Sequence, residues 1–499
     1  MGIGGAERKD VVVRDGAGEI RMDRDDAGFV LAVMTGLDWY QLLLLRGIRA
    51  SLAQRGLPVI VHTDDRVTDE PASSLTCLIT HRRPLGIILT PSLSGAQDQA
   101  LGRLARERGI PVVRLGQDIR GETCVRADNV QGMTLLTAHL LDDFGARRPA
   151  LLYGTSNQTD HVDRELAFRA ELQRRGLPLD EELILATGTS LARASVALTG
   201  LLNEHPDIDA VVTMDDRVAA MAVDLVGRFG RVVGDDIAVS GFDNYPLSTS
   251  IGPGITSVDQ RLEEQGAQAG EALLDLLDGA PPGTHHLTPC VLVVRGSTFP
   301  DHPGGLPDQP ILRGAAELVH QQLATQESLI RLCGALIGVR AVEELRTPVE
   351  AEVGALGIDR FFLALYEQSE SIEEEPDGSL ASDEPATRNG PTAGDEPAAR
   401  AGSDACRHRP ARLVCDHHAG TGHTPLPQRF TNCLLPGYLA AEMSTGTLCR
   451  AELVVGRRAV GYLLFEPSPT AVPVLSTIRT NLERALAVVL PASGTRIHP

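Results

Sequence analysis

No stretch of this 499-residue chain approaches the ~20 consecutive apolar residues of a membrane helix, so a helical membrane anchor is not expected. The first ten residues, Met1 to Asp10, hold no apolar core, so a secretory signal is not expected either. Met1-Gly2 satisfies only part of the myristoylation motif, because Ala6 stands where it takes Ser or Thr. Cysteine is sparse: eight residues spread from Cys77 to Cys449 without paired spacing, the usage of a reducing compartment. A cytoplasmic location follows as the expectation. Positive charge is the next deficit. With 46 Lys and Arg against 66 Asp and Glu, the net charge is −20 and the pI near 5.1. Such a chain repels phosphate backbones unless it segregates a basic patch. The densest basic cluster, Arg164, Arg169, Arg174 and Arg175, follows one predicted helix interleaved with Glu and reads as a solvated helix face. Signatures of catalysis are missing too: there is no phosphate loop, Gly-x-Ser-x-Gly, His-Glu-x-x-His or Gly-Gly-Asp-Glu-Phe. Neither enzyme activity nor a cofactor is expected. Soft metal ligands gather at Cys406, His408, Cys415, His417, His418 and His423. Their spacing departs from the two-to-four-residue pairs of zinc sites, and no metal is assigned. The adjacent His285 and His286 read as solvent-exposed.

What is present is a globular composition: 42% hydrophobic residues, mean hydropathy −0.04, 50 Gly and 31 Pro. The length exceeds one core and suggests about two to four domains. Residues 1–28 are polar and Gly-rich and read as a flexible segment. From Phe29 to Thr298, short apolar or β-branched runs alternate with helical patterns, the mark of a doubly wound parallel sheet. The predicted strands are 29–34, 59–63, 86–89, 112–115, 150–153, 183–186, 210–214 and 237–240. The predicted helices are 42–55, 130–144, 165–175, 191–204 and 218–228. Gly56, Gly145 and Gly176 follow three of these helices, where glycine suits the left-handed cap. Eight strands are too many for one compact lobe, so two lobes with a cleft between them are expected. After a Pro/Gly/Asp linker at 299–310 comes a helix over 311–345. Its residues Leu312, Ala316, Val319, Leu323, Gln326, Ile330, Cys333 and Ile337 follow a heptad seam. This spacing fits a coiled coil and equally a helix that buries one stripe in its own domain. Residues 346–499 hold a strand at 356–366, a polar insert at 367–409 expected to be disordered, further strands near 412–415, 451–455 and 460–466, and a closing helix at 474–490.

The most telling segment is Asp235-Asp236-Ile237-Ala238-Val239-Ser240-Gly241-Phe242-Asp243-Asn244, followed by Thr256-Ser257-Val258-Asp259-Gln260. An apolar strand core that ends in Gly and Asp delivers that Asp to the carboxyl edge of a sheet, where α/β folds bind ligands. This segment resembles the sensor domain of the LacI/GalR regulators. Other pieces fit the same order: Leu37-Asp38-Trp39-Tyr40 after the first strand, Asp128-Asn129-Val130-Gln131-Gly132, Phe144 to Ala150, Arg164 with Ala167-Phe168, and Asp209 to Asp216. Two departures stand out, Ala146 where the family has His and Asp215 where it has Asn. The resemblance implies an α/β fold of two-lobed, doubly wound parallel sheets (periplasmic-binding-protein-like, type I) over residues 29–298. The first lobe would take 29–127 and 261–284, the second 128–258 and 285–298. Residues 311–499 are similar, more weakly, to a signalling helix and an α+β GAF-like domain.

The resemblance also implies a ligand class. Sugars, polyols and nucleosides present vicinal hydroxyls, which carboxylates accept and an Arg fork answers in a fixed plane. The implied ligand residues are Asp38, Trp39, Tyr40, Asp128, Arg164, Asp215, Asp243 and Gln260. Each also has a plainer role: Asp215 or Asp216 as a helix cap, Asp243 as a turn residue, Arg164 as a surface charge, Trp39 as packing. The 28 residues before the sensor leave too little room for the family's DNA-reading module, so direct DNA binding is doubtful and a protein partner is expected to carry the output. A homodimer is expected. Two rivals remain open: a solute-binding protein of a sugar transporter, and a dimeric scaffold with a vestigial cleft.

Overall fold

A computed structural model describes residues 12–15, 18–21, 28–34, 36, 38–63, 71–90, 95–154, 158–188, 190–299, 309–367, 411–418, 429–430, 447–456, 458–466 and 474–490. A hairpin comes first, β1 (Val12–Asp15) against β2 (Gly18–Arg21), within a segment expected to be without regular structure. The run of Val that disfavours helix there suits a strand.

The first lobe is built from β3 (Val30–Met34), α1 (Trp39–Ala53), β4 (Val59–Thr63), α2 (Ser73–Cys77), β5 (Gly86–Leu89), α3 (Gly95–Glu107), β6 (Val112–Leu115) and β7 (Thr123–Ala127). The chain then crosses into the second lobe through α4 (Asn129–His139), β8 (Pro149–Tyr153), α5 (Thr159–Arg174), β9 (Ile184–Ala186), α6 (Leu191–Glu204), β10 (Ala210–Thr213), α7 (Asp216–Arg228), β11 (Ala238–Phe242) and β12 (Thr256–Asp259). It returns by α8 (Leu262–Leu277) and β13 (His285–Thr288), then crosses once more to β14 (Val291–Val293). The sheets run β13-β7-β6-β5-β3-β4 and β14-β12-β11-β10-β8-β9, parallel throughout except for β14. Helices on both faces explain why the central strands read as unbroken apolar runs. One boundary moves. Residues His285–Thr288 pair with β7 in the first lobe, so the last crossover follows Thr288 rather than preceding His285.

The strands missed in the sequence, β7, β12, β13 and β14, are short: β7, β12 and β13 carry Thr, Arg, Asp or His among few apolar positions, and β14 is only three residues long. β7 and β12 are buried by their sheet neighbours, whereas β13 and β14 are mostly exposed, and periodicity alone reveals neither case. The return helix α8 packs on α1 with almost no space between backbones. A Cβ on Gly47 would stand 1.9 Å from the Glu263 carbonyl oxygen, and one on Gly266 2.0 Å from that of Leu44. Only glycine permits this approach.

The C-terminal part holds α9 (Gln309–Ile337), α10 (Arg346–Val353), β15 (Arg360–Tyr366), β16 (Ala411–His418), β17 (Arg429–Phe430), β18 (Thr447–Val455), β19 (Arg458–Phe465) and α11 (Leu475–Val489). Its antiparallel sheet, ordered β18-β19-β15-β16-β17, does not stand apart. β18 pairs in parallel with β4, Thr447 opposite Val59 through Ala451 opposite Thr63, making one sheet of eleven strands. Thr63 Oγ1 donates to the Arg450 carbonyl across this seam, 3.3 Å. One apolar cluster runs from Leu44 and Ile48 of α1 through Val61 and Cys449 to Leu332, Leu463 and Leu482. The described part of α9 presents two faces. Leu332 and Leu336 are buried in the module, whereas Leu323, Ile330 and Ile337 of the heptad seam are 54%, 72% and 77% exposed. The polar insert at 367–409, apart from Glu367, and the Leu434-Leu435-Pro436 motif lie outside the described residues, as do Cys406, His408 and His423. Among the described residues, no helix is long and apolar enough to cross a membrane.

Candidate ligand-binding site

The cleft is assembled at strand ends that sequence order alone keeps far apart. At the end of β11, Asp243 and Asn244 both adopt positive φ, +98° and +51°. Asp and Asn tolerate this region better than other side chains, yet a pair in succession is strained backbone of the kind found at functional sites. The surroundings hold it in place. Asp243 N donates to the Val258 carbonyl at 2.8 Å, Asn244 N to Ser257 Oγ at 3.0 Å, and Arg295 Nη2 to Asn244 Oδ1 at 2.6 Å. Beneath this turn the buried carboxylate of Asp216 accepts from Ser248 Oγ and Ser257 Oγ, each at 2.6 Å, and from Tyr245 N at 2.7 Å. Gly241 is required beside it, since a Cβ there would meet Asp216 Oδ1 at 2.1 Å. The Asp215-Asp216 pair thus divides its duties. Asp215 caps α7, its Oδ1 accepting from Arg217 N and Val218 N, and Asp216 organises the Asp243 turn.

Gln260, 1% exposed at the next crossover, donates through Nε2 to Asp243 Oδ1, and its own carbonyl accepts from Gln265 Nε2 at 2.7 Å. Its Oε1 is buried without a hydrogen-bond partner among the described residues. Burial pushes the Asp243 carboxyl up to about 7; the Asp216 and Asp215 charges add to this, while Arg164 and the Gln260 hydrogen bond oppose it. Arg164 lies 4% exposed on α5. Its Nε donates to Asn129 Oδ1 at 2.7 Å, its Nη1 to the Met214 carbonyl at 2.8 Å, and its guanidinium carbon sits 3.7 Å from the Phe242 ring centre. This is a positioned cation, not a surface charge.

From the first lobe, Asp38 caps α1, accepting from Gln41 N at 2.9 Å. Tyr40 follows it into the cleft. Burial raises the Tyr40 phenol above its ordinary range, with Asp160, Asp243 and Asp38 adding to the effect and Arg164 opposing it. Burial, Asp243 and Asp38 act likewise on Tyr245. The structure therefore brings Asp38, Tyr40, Arg164, Asp215, Asp243 and Gln260 into one electrostatic neighbourhood. Trp39 is half-buried at the start of α1. Asp128 caps α4, accepting from Gln131 N at 2.9 Å, and borders a cavity lined also by Arg126, Asn129 and Asp163.

Four residues of the neighbourhood went unread in the sequence. Arg126 at the end of β7 reaches across to α5, its Nη2 donating to Asp160 Oδ1 at 2.8 Å and also to Asp163. It joins the two lobes beside the crossover. Burial raises Asp160 against the pull of Arg164 and Arg126, and it lowers the His161 imidazole to about 4, helped by the Arg164 charge. Asp160 and His161 precede Arg164 by helical spacing on α5, which was a usable signal. Tyr245 was announced only by its place after the Asp243-Asn244 turn.

Two α/β lobes, with charged and hydroxyl-bearing groups converging where the crossovers meet, have the architecture of a two-lobed ligand-binding domain. A family model described as periplasmic binding protein-like domain matches residues 137–298. Known proteins narrow this. The chain is 27% identical over 240 residues to the HTH-type transcriptional regulator CelR of Thermobifida fusca, covering 47% of this chain and 69% of that protein. It is 26% identical over 257 residues to the ribose operon repressor of Halalkalibacterium halodurans, 51% and 74%. It is 30% identical over 219 residues to the HTH-type transcriptional regulator DegA of Bacillus subtilis, 43% and 64%. The matched domain and these relatives together support a sensor domain of the LacI/GalR type in this part of the chain.

Proposed function

We propose that this protein is a cytoplasmic sensor in transcriptional regulation, which closes its two lobes around a sugar-like, polyhydroxylated ligand. The observation that carries the reading is the Asp243–Gln260–Arg164 cluster at the crossovers. It combines an acceptor, a buried amide with an unused oxygen and a fixed cation, the set that vicinal hydroxyls need. Relatives named for ribose and arabinose support the ligand class. Asp38, Trp39 and Tyr40 close over the ligand from the first lobe, Asp215 and Arg164 from the second, and Asp128 acts at the hinge. Closure biases an output only if the ligand prefers one lobe arrangement.

The protein works as a homodimer, with Leu323, Ile330 and Ile337 of α9 forming a seam with the same helix of a second copy. The helix–antiparallel sheet–helix order of the C-terminal part supports a GAF-like signalling module that hands the state of the cleft to a partner protein, and the net charge of −20 favours such a partner over direct contact with DNA. The test is a thermal-shift screen against sugars, polyols, nucleosides and amino sugars. A ligand at 100 times its Kd stabilises by about 2.7 kcal/mol. A stabilising ligand whose effect disappears in Asp243→Ala supports the reading. Stabilisation by none of these compounds, or a response unchanged in the variant, refutes it.

A further inference from the structure

A second group of chemically active side chains lies on the outer edge of the first lobe, at the end strand of its sheet. Cys124 on β7 and His285 at the start of β13 stand directly opposite each other in the parallel register. Asp118, in the turn between β6 and β7, reaches the same spot, with its Oδ1 2.9 Å from His285 Nδ1. One ligand atom from each of the three, Sγ, imidazole N and carboxylate O, lies within 4.8 Å of the others. The side chains of Asp118 and His285 are 46% and 41% exposed, while Cys124 is buried, so the cluster opens outward from a fixed sulfur. It lines a cavity of about 160 Å³ whose wall includes Asp128, Asp163 and His286.

We propose that Asp118, Cys124 and His285 form a site for a divalent transition metal, zinc being the ion that their chemistry fits best. One thiolate, one imidazole and one carboxylate make a mixed set of borderline softness. Zinc takes such ligands in tetrahedral geometry, while magnesium and calcium avoid sulfur. Three protein ligands leave the fourth position to water from the cavity. Ile119 N donates to Cys124 Sγ at 3.5 Å, a hydrogen bond that a metal thiolate would keep, while the thiol proton now directed at the Glu122 carbonyl, 3.5 Å away, is the one the metal displaces. Binding releases the thiol proton to solvent, and the metal replaces the Asp118–His285 hydrogen bond with two bonds to itself.

The position gives the site a consequence. β7 runs straight into the crossover at Asp128, and β13 into the crossover that follows Thr288. A metal on Cys124 and His285 staples together the two strands that feed these crossovers and anchors the β6–β7 turn to them. Metal loading therefore stiffens the base of the hinge.

The experiment uses the tag-free full chain, stripped with chelator and titrated with Co²⁺, whose charge-transfer band with sulfur reports thiolate ligation directly. One equivalent of Co²⁺ should develop that band, and Zn²⁺ should displace it. Cys124→Ser, nearly isosteric, should abolish the band while leaving the far-ultraviolet circular dichroism unchanged, and His285→Ala should weaken binding at least tenfold. Cys333→Ser on α9 should bind as the parent does. Absence of a band in the parent overturns the proposal, and so does a band that survives Cys124→Ser, which places the metal elsewhere. As a second readout, Zn²⁺ should raise the melting temperature of the stripped parent but not that of His285→Ala; an equal rise in both also overturns it.

Discussion

Replacing Asp243 by Asn should make the ligand-free protein more stable while disabling its response. A carboxyl held at about 7, against 3.8 for the free side chain, is penalised in its ionised form by about 4 kcal/mol. Because Asp243 is only half-buried and solvent screens its charge, about 2 kcal/mol is the figure to expect at pH 8. The sign follows from proton binding. The folded value lies above the unfolded one, so the native state holds the proton more tightly between pH 3.8 and about 7. The penalty is complete above pH 7 and fades as pH falls, leaving about a quarter at pH 4.5. Asn is as tolerant as Asp of the positive φ at this position, and it keeps an oxygen to accept from Gln260 Nε2. Urea unfolding of parent and variant at pH 8 and pH 4.5 should show a gain of about 2 kcal/mol at the higher pH and little at the lower. A variant less stable than the parent at pH 8, or a gain independent of pH, would refute the electrostatic reasoning.

Three further perturbations follow. Gly266→Val drives side-chain carbon into the Leu44 carbonyl, 2.0 Å from the position of its Cβ, and should cost about 3 kcal/mol or more in urea titration; a loss below about 1 kcal/mol would mean that α1 and α8 separate easily. Ile330→Glu, at a position 72% exposed, should leave the melting temperature of the monomer unchanged and convert a dimer to a monomer in light scattering, whereas a parent already monomeric would remove α9 as the seam. Arg126→Gln removes the hydrogen bonds from β7 to Asp160 and Asp163 and should weaken ligand binding about tenfold with the cleft groups intact; an unchanged affinity would show that this contact does not favour the closed lobes.

The alternating core strands and most helices were legible because parallel strands buried on both faces must be apolar along their length. Leu191–Glu204 was read to the residue; its cap, Ser190, is a finding of the structure. Asp243 was visible through its Gly-Phe-Asp-Asn turn, and Gln260 through the Thr-Ser-Val-Asp-Gln segment that follows. Arg126 was not, because a cation on a short strand gives no hint that its partner lies on a helix of the other lobe. Asp215 and Asp216 could not be told apart by type; only the hydrogen bonds distinguish the cap from the buried carboxylate. The reading of residues 346–499 as a module beyond a linker missed its fusion to the sensor, since nothing in β4 or β18 names the other as neighbour.

That fusion shapes how the molecule must be made. Thr63 meets Arg450 only after 387 further residues have been synthesised. Until then β4 is a bare outer strand, an unpaired template of the sort that recruits other chains. Its closure is a late, long-range event, and such contacts are the slow ones in folding. A fragment cut at the natural-looking break near residue 298 would keep the whole cleft and expose that strand permanently. The excised sensor should therefore be harder to keep in solution than the full chain, and the last strands of the protein act as the stopper for an edge laid down at its beginning.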